Sequence, residues 1–253
     1  MASLPPPPAK VPPLAADVAP TPVGRFLTAL PIKYFHATLE GIEHLPKSSG
    51  ALVVGNHALF GLDGAVLGAL IIKETGRYPR FLGERNLWKI PVLGQVLTAL
   101  GALEGEPKAA QLLLEDGELV VVYPGGVDDS FKLSSERHHL KWGQRAGFAK
   151  VAMRAKVPIV PVAGIGIDEM YEVLGREHVI GRALLGSPRY DLPIPFGAYG
   201  TLIPKRIPQH FVLLDPIDTG GDPDRPEDVE RVRAQTYHAI ESRLGQARGD
   251  ASK

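Results

Sequence analysis

The amino-acid sequence predicts a single α/β domain with a largely parallel, mixed β-sheet flanked by helices. Short apolar runs alternate along the chain with segments of helical periodicity, which is typical of a parallel sheet covered by helices. Residues 119–123 are apolar throughout, as expected of a strand buried on both faces. The 253 residues suit one domain, and neither a linker nor an internal repeat divides them.

Apolar runs predict the strands of this sheet. They span residues 34–39, 51–54, 119–123, 158–162 and 210–214. Pro161 lies inside the fourth run. Because proline has no backbone N–H to donate to a neighbouring strand, it predicts an edge strand or a bulge at this point.

Helical periodicity predicts the layers on either side of the sheet. The predicted helices span residues 63–74, 106–115, 142–155 and 226–244. Pro107 suits a first helical turn, and Gly76 suits the position after a last turn. In the last helix the predicted packing residues are Val229, Val232, Ile240 and Leu244. Residues 187–208, rich in Pro, Gly and aromatics, are predicted to form a long ordered loop.

The two ends of the chain are predicted to be disordered tails around a domain at residues 23–246. Residues 1–22 contain eight prolines and few bulky apolar side chains, and residues 247–253 follow the last helix. The N-terminus has no apolar region typical of a signal peptide. No apolar run reaches the roughly 18 residues of a membrane span. We therefore expect a cytoplasmic protein that lies peripherally at a membrane.

Composition excludes several classes of function. Lys and Arg together number 28, as do Asp and Glu, so the net charge gives no indication of nucleic-acid binding. The absence of cysteine excludes disulfides, thiolate zinc sites and a cysteine nucleophile. No serine-hydrolase elbow, phosphate-binding loop or His-Glu-x-x-His motif occurs. Arg137, His138 and His139 predict a basic turn, and no metal is expected.

The strongest candidate for chemistry is residues 55–64, which follow a predicted strand and open the next helix. Six positions along a regular helix turn the chain by about 600°, so His57 and Asp63 can meet only if His57 lies on the connecting turn. Asp63 would then fix the tautomer of His57 and leave the other ring nitrogen free to accept a proton. A helix-capping aspartate beside an unrelated histidine explains the spacing equally well.

A second candidate follows residues 119–123, where the chain continues as Tyr123-Pro124-Gly125-Gly126. Backbone amides of such a turn can approach a ligand without obstruction from side chains. The turn could cradle an oxyanion or line an acyl slot. A simple turn at the end of a strand explains the same residues.

These segments together resemble the lysophospholipid/glycerol acyltransferase superfamily over about residues 34–220. Four blocks similar to those of the family occur in the family's order, which is a far more specific signal than any single block. They are Asn56-His57 with Asp63, residues 81–94 with Arg85, Tyr123-Pro124-Gly125-Gly126, and residues 157–162.

The sequence departs from the family's pattern at three places. Five residues separate His57 from Asp63, one more than is usual. Residues 104–106 (Glu-Gly-Glu) stand where phosphate-binding relatives carry an arginine, and residues 124–126 replace the usual Pro-Glu-Gly-Thr. The last two departures remove a cation and a carboxylate. In this respect the sequence resembles the branch of monoacylglycerol and diacylglycerol acyltransferases and phytyl ester synthases. The stretch around Arg145 also resembles that branch.

The resemblance implies a reaction and a set of site residues. His57 would act as general base on an acceptor hydroxyl, and Asp63 would orient it. The alkoxide would attack an acyl thioester, carried by CoA or an acyl carrier protein, without a covalent enzyme intermediate. No cofactor or metal is implied. Substrate-binding roles are implied for Asn56, Arg85, Tyr123, Pro124, Gly125, Gly126 and Arg145.

The predicted function is therefore an O-acyltransferase acting on a neutral lipid, either a glycerolipid or a long-chain alcohol. Three alternatives stay open: a lysophospholipid acyltransferase with a phosphorylated acceptor, an esterase or thioesterase that uses water, and a non-catalytic lipid-binding module. The altered interval between His57 and Asp63 favours the last of these. The presence of both residues argues against it.

Two segments predict contact with a membrane surface. Residues 24–35 and 187–207 combine apolar and aromatic side chains with Arg and Lys, a composition suited to the lipid headgroup boundary. Phe196 and Tyr199 are the predicted contacts. The alternative is that these side chains cover the sheet.

Overall fold

The structure, a computed structural model, describes residues 21–89, 93–99, 101–177 and 192–251. The strands are β1 (Thr38–Glu40), β2 (Ala51–Gly55), β3 (Arg80–Gly83), β4 (Ala102–Glu104), β5 (Leu119–Val122), β6 (Ile159–Ile165), β7 (Glu172–Glu177), β8 (Leu192–Phe196) and β9 (His210–Leu213). The α-helices are α1 (Pro22–Tyr34), α2 (Leu62–Thr75), α3 (Leu93–Ala99), α4 (Pro107–Glu115), α5 (Gly126–Ser130), α6 (Gly147–Ala155) and α7 (Pro226–Ala251).

Seven of these strands form one sheet in the order β1-β9-β6-β2-β5-β3-β4, and β7 pairs with β8 separately. Neighbouring strands of the large sheet are parallel except for β6 and β9, which are antiparallel. Helices cover both faces of the sheet. The predicted fold class, a largely parallel mixed sheet flanked by helices, is thereby confirmed.

Alternate residues of the central strands enter two separate apolar cores. Val53 and Val121 face the core that contains α2. Leu52 and Val120 face the core that contains α4, α6 and α7. The packing residues predicted for the last helix lie in this second core, and all are buried: Val229, Val232, Ile240 and Leu244. Each buried side chain of this size stabilises the fold by about 1.5–3 kcal/mol.

Pro161 lies in the interior of the sheet, so of the two predicted alternatives the edge strand is wrong. The bulge is supported, because Ile159 pairs with Ile217 but Val162 pairs with Leu213, a shift of one residue across Pro161. Its strand, β6, lies between β9 and β2. The antiparallel pairing with β9 begins one residue later, where Val162 lies opposite Leu213. The carbonyl oxygen of Pro161 accepts the N–H of Leu214, just beyond the end of β9. Proline has no backbone N–H, but at this position no residue of β9 needs that N–H as a hydrogen-bond donor.

The chain enters the domain through a helix rather than a strand. The side chain of Thr21 caps α1 by accepting the N–H of Gly24 at 3.0 Å, and Pro22 occupies the first turn. The strand predicted at residues 34–39 is limited to Thr38–Glu40 as a result.

Three other boundaries differ from the predictions. The helix predicted at residues 142–155 begins only at Gly147, because Gly143 has a left-handed φ of +55°, which a right-handed helix cannot contain. The loop predicted at residues 187–208 contains β8, while residues 187–191 lie outside the described ranges. The last helix continues to Ala251, through residues that we expected to form a tail. Of the predicted N-terminal tail, residues 1–20 lie outside the described ranges.

Candidate active site

The two predicted segments meet at one edge of the sheet. Strands β2 and β5 are parallel neighbours, paired from Ala51 with Leu119 to Val54 with Val122. The chain leaves β2 toward His57 and leaves β5 at Tyr123. In α/β proteins this edge, at the carboxyl ends of the strands, is where ligands bind.

His57 and Asp63 form a hydrogen-bonded pair at this edge. The Nδ1 atom of His57 lies 3.0 Å from Oδ2 of Asp63. A carboxylate can only accept, so Nδ1–H donates and Nε2 of the neutral imidazole carries no proton. Asp63 is fully buried and its Oδ1 accepts the N–H of Ala58, whereas the His57 side chain is 19% exposed. None of the described residues hydrogen-bonds Nε2, so this atom is open to a ligand.

The turn between β2 and α2 brings the pair together in spite of the long interval. Phe60 has a φ of +62° and Gly61 a φ of +68°, so two successive residues are left-handed before α2 begins. Glycine adopts this conformation freely, whereas a residue with a large side chain is strained by about 1–3 kcal/mol. The two left-handed residues accommodate the extra residue of the interval, which therefore does not separate His57 from Asp63.

The surroundings of His57 raise its pKa. Burial lowers the pKa, but the charge and hydrogen bond of Asp63 and the charge of Asp129 outweigh burial and raise it above the usual 6.5. Lys132 acts in the opposite direction. The imidazole is therefore a stronger base than that of an isolated histidine.

Tyr123 packs directly on the imidazole. The ring centroids of Tyr123 and His57 are 4.2 Å apart, and the planes differ by 10°. Burial, together with the charge of Asp63, raises the pKa of the Tyr123 phenol well above 10.0. Tyr123 is therefore a neutral ring that covers one face of His57.

Asn56 connects the strand that carries His57 to strand β6. Its Nδ2 donates to the carbonyl oxygen of Gly164 and its Oδ1 accepts the N–H of the same residue, both at 2.8 Å. The side chain is buried, and this pair of bonds extends the connection of β2 with β6 beyond Gly55. The structure thus places Asn56 beside the dyad, with its amide bonded to the backbone.

Pro124, Gly125 and Gly126 turn the chain from β5 into α5, and Arg145 holds this turn. The Nη1 atom of Arg145 donates to the carbonyl oxygens of Gly125 at 2.8 Å and of Pro124 at 3.4 Å. Its Nη2 pairs with the carboxylate of Asp128. Beside Gly126, a Cβ atom would meet nothing within 4 Å. The turn is therefore fixed on one side by Arg145 and open at Gly126.

Asp129 is a residue of this site that sequence analysis missed. Its Oδ2 accepts the backbone N–H of His57 at 2.9 Å, and its Oδ1 lies 3.3 Å from Nζ of Lys132. A Cβ at Gly125 would lie 2.2 Å from the Cβ of Asp129, so glycine is required there. Two acidic residues, Asp128 and Asp129, one residue beyond Gly125-Gly126 were the available signal. Nothing in their spacing indicates a partner 72 residues away along the chain.

Arg85 lies on the rim of the same edge. Its Nε is 3.9 Å from Oε2 of Glu104, and its side chain is 61% exposed. Arg85 follows β3, which is two strands from β2, or about 10 Å at the usual strand spacing. The structure therefore does not bring Arg85 to the dyad.

The basic turn predicted at residues 137–139 is held by ion pairs. His138 pairs with Glu169 at 2.8 Å, and His139 pairs with Glu241 at 3.3 Å. Over the described ranges, no group of three or more His, Asp or Glu side chains has metal-binding geometry.

Comparison with known proteins assigns this arrangement to a family. The profile of the family described as Acyltransferase matches residues 36–164, a span that contains His57, Asp63 and the turn at residues 124–126. The chain belongs to the Acyltransferase family. The resemblance to the lysophospholipid/glycerol acyltransferase superfamily is thereby confirmed.

Relatives of known sequence extend this similarity beyond the matched span. An uncharacterised protein of Mycobacterium tuberculosis (strain ATCC 25618 / H37Rv) is 30% identical over 220 residues, which cover 83% of this chain and 61% of that protein. A Homo sapiens protein named DGAT1/2-independent enzyme synthesizing storage lipids is 32% identical over 161 residues, covering 64% of this chain and 49% of that protein. The chain thus spans about three fifths of the Mycobacterium tuberculosis protein and about half of the Homo sapiens protein.

A solved structure supports the fold. The 1-acyl-sn-glycerophosphate (LPA) acyltransferase PlsC from Thermotoga maritima superposes with a TM-score of 0.56 at 17% identity. The superposition covers 86% of this chain and 78% of that one. At this identity the likeness concerns the architecture alone.

Proposed function

We propose that this protein transfers a fatty acyl group from an acyl thioester to a hydroxyl group of a neutral lipid. The observation that carries the proposal is the 3.0 Å hydrogen bond between His57 Nδ1 and Asp63 Oδ2, which leaves Nε2 as an open basic atom. Membership of the Acyltransferase family and similarity to a human protein named for synthesizing storage lipids support it. The donor is acyl-CoA or an acyl carrier protein, and no cofactor takes part.

In the proposed reaction His57 is the general base. Its Nε2 accepts the proton of the acceptor hydroxyl while the hydroxyl oxygen forms a bond to the thioester carbonyl carbon. The C–S bond then breaks, and the imidazolium returns the proton to the departing thiolate, which leaves an ester and a free thiol. Asp63 holds the tautomer and stabilises the imidazolium. Such positioned proton transfer contributes about 10²–10⁴-fold to the rate.

The charges around the dyad support a neutral acceptor. Lys132, which lies near enough to lower the pKa of His57, is held between the carboxylates of Asp129 and Asp168. Arg145 is engaged by one carboxylate and by backbone carbonyl oxygens. A phosphorylated acceptor would have to displace these partners, which are buried or partly buried. A monoacylglycerol, a diacylglycerol or a long-chain alcohol has no such requirement.

The remaining predicted site residues are proposed to shape the site. Tyr123 covers one face of the imidazole, so the substrates approach Nε2 from the opposite face or from the ring edge. The open space at Gly126 would admit the acyl group. Arg85, exposed on the rim, would meet the phosphate groups of the acyl carrier. Asn56 and Arg145 would hold the two turns in place.

We further propose that the protein meets its lipid substrate at a membrane surface. Phe26 and Leu30 of α1 are exposed, as are Phe196 at 41% and Tyr199 at 100%. The end of α1 is joined to the loop after β8, where the Oη of Tyr34 donates to the carbonyl oxygen at position 204, at 2.7 Å. Side chains that covered the sheet would be buried. None of the described helices is long and apolar enough to cross a membrane.

A labelled-donor assay tests the proposed reaction. Purified protein is incubated with labelled acyl-CoA and vesicles that contain diacylglycerol or a long-chain alcohol, and labelled ester is separated from free acid. We expect ester from the wild-type protein and none above background from His57→Ala. His210→Ala, which removes a histidine that lies on β9, two strands from β2, and pairs with Glu40, is the control and should retain the wild-type rate.

The products discriminate between the alternatives. Free acid in place of ester would identify an esterase or thioesterase. Lipid binding by the wild-type protein without any acyl transfer would identify a binding module. Undiminished ester formation by His57→Ala would remove His57 from the reaction.

A further inference from the structure

Asp129 is a fully buried carboxylate to which the proposed reaction gives no role. Its Oδ2 accepts the backbone N–H of His57 at 2.9 Å. Its Oδ1 accepts from Nζ of Lys132 and from the backbone N–H of Lys141, each at 3.3 Å. One side chain thus connects α5, the turn that carries His57, and the segment that leads to α6.

Lys132 is held on its other side by a second carboxylate. Its Nζ lies 3.1 Å from Oδ2 of Asp168, and both side chains are 4% exposed. Taking such ions out of water costs several kcal/mol each, and apolar residues of similar volume often stabilise a fold as well or better. A buried row of Asp129, Lys132 and Asp168 is therefore difficult to explain by packing alone. Within this row it is Asp129 that accepts the N–H of His57, and this contact indicates a function for that carboxylate.

We propose that Asp129 is a positioning residue of the active site, whose carboxylate fixes the backbone of His57 while Lys132 neutralises its charge. The inference rests on the proposed role of His57 as the base. Asp63 holds the imidazole at Nδ1, and Asp129 holds the main chain of the same residue. Two independent contacts define the place of Nε2. A displacement of about 1 Å at such an atom can lower a rate by ~10²-fold.

An amide cannot replace this carboxylate. Both oxygens of Asp129 accept hydrogen bonds, whereas asparagine has one accepting oxygen and one NH₂ group that only donates. Two donors face Oδ1 and one faces Oδ2, so the oxygen in Asp129→Asn is expected to turn toward Lys132 and Lys141. The N–H of His57 is then left without its acceptor.

The test compares Asp129→Asn with Asp168→Asn. Each substitution removes one of the two carboxylates that pair with Lys132, but Asp168 accepts the N–H of His138 at 2.8 Å and has no contact with His57. We expect both variants to unfold at a lower temperature than the wild type. Only Asp129→Asn should lower kcat for acyl transfer, by about 10–100-fold, with KM changed by less than about 3-fold.

The kcat values of the two variants decide the proposal. Equal losses of kcat in the two variants, or an unchanged kcat in Asp129→Asn, would overturn it. The His57→Ala protein distinguishes this failure from that of the proposed function. If His57→Ala is inactive while Asp129→Asn is fully active, only the positioning role fails, and if His57→Ala is active, the proposed function fails.

A measurement on the wild-type protein keeps the proposal testable if Asp129→Asn does not fold. An amide N–H that donates to a buried carboxylate forms a charge-assisted hydrogen bond. The NMR signal of the His57 amide proton should therefore lie downfield of unpaired amides, and the proton should exchange slowly with solvent. Fast exchange at an unperturbed shift would show that Asp129 does not hold this backbone.

Discussion

The imidazole of His57 lies nearly parallel to the phenol ring of Tyr123, with a centroid separation of 4.2 Å. The contact joins the turn after β2 to the end of β5. Gly55 permits this close packing, since a Cβ there would lie 2.7 Å from Cγ1 of Val162 and 3.4 Å from Cε1 of Tyr123. The histidine is therefore supported on one ring face by Tyr123 and at one ring nitrogen by Asp63.

Two substitutions of Tyr123 separate the ring from its hydroxyl group. Tyr123→Phe keeps the stacked ring, so we expect kcat within about 3-fold of the wild type. Tyr123→Ala removes a contact worth about 0.5–1.5 kcal/mol and frees the imidazole, so kcat should fall by roughly 10-fold. The measurement is kcat with labelled acyl-CoA at saturating acceptor. Equal losses in the two variants would assign the effect to the hydroxyl group instead.

The raised pKa of His57 predicts the pH dependence of the reaction. A general base works in its unprotonated form, so kcat/KM should fall as the pH drops through a midpoint above 6.5. Asp63→Asn removes the negative charge that raises this pKa, whereas Asp129, Lys132 and Tyr123 stay in place. The midpoint should then move to lower pH, and the plateau should fall by about 10²–10⁴-fold. An unmoved midpoint would mean that another group titrates.

The same shift has a consequence for stability. Because the pKa of His57 is higher in the folded chain than the usual 6.5, the protonated pair with Asp63 stabilises the fold below pH 6.5. This contribution is lost as the pH rises through the raised pKa. It should disappear from the pH dependence of the free energy of unfolding in Asp63→Asn.

Two glycines at opposite ends of α2 test whether the turn between β2 and α2 positions the dyad. Gly61 and Gly76 have φ values of +68° and +70°. A Cβ at Gly61 would lie 3.8 Å from Cε1 of His57, and one at Gly76 would meet nothing within 4 Å. Each change to alanine should therefore lower the free energy of unfolding by about 1–2 kcal/mol through backbone strain alone.

Only Gly61→Ala should affect catalysis. Relief of its strain moves the turn and with it His57 relative to Asp63, so we expect kcat to fall by roughly 10-fold. Gly76→Ala, at the far end of the helix, is the matched control and should keep the wild-type kcat. The same kcat in both variants would show that the turn tolerates this strain without moving the dyad.

The acceptor preference follows from the paired cations. With equal concentrations of monoacylglycerol and lysophosphatidate in the same vesicles, kcat/KM for the neutral acceptor should be higher by about 10-fold or more, because Lys132 and Arg145 are already paired with carboxylates. The measurement is the ratio of the two labelled products. A preference for lysophosphatidate would reverse the assignment and indicate a phosphorylated acceptor.

The parts of the fold that could be predicted are those indicated by residues close together in the sequence. The apolar runs at residues 51–54 and 119–123 became β2 and β5, and the glycine after residue 75 ends α2. The fold class followed from their alternation with helices. The segment that contains His57 and Asp63 was found for the same reason, since both residues flank a single turn.

The features that sequence analysis missed depend on distant neighbours. Pro161 avoids a lost hydrogen bond only because β9 ends beside it, and strand order cannot be deduced from the proline itself. The first helix has a cap at Thr21 and a proline at position 22, yet it follows directly on a proline-rich stretch that suggested a tail. The role of Asp129 is apparent only from its tertiary contact with His57, which the sequence does not indicate.

The exposed side chains at the end of β8 and in the turn after it predict how the protein attaches to lipid. Phe196 and Tyr199 are 41% and 100% exposed, and Tyr199 has a φ of +55° at the tip of a turn. Inserting such side chains into the headgroup boundary contributes roughly 1.5–3 kcal/mol each before ordering costs. The double variant Phe196→Ser/Tyr199→Ser should therefore float less well with liposomes in a density gradient.

Activity on a soluble substrate controls for the fold in this experiment. Phe196 ends β8, Tyr199 lies in the turn after it, and neither belongs to the dyad, so the double variant should turn over a short-chain acceptor at the wild-type rate. Phe26→Ser/Leu30→Ser on α1 provides a second arm, because α1 is joined to the same loop through Tyr34. Weaker flotation in both arms would define one continuous contact surface. Unchanged flotation in the first arm would remove the loop from the membrane contact and leave α1 as the segment to test.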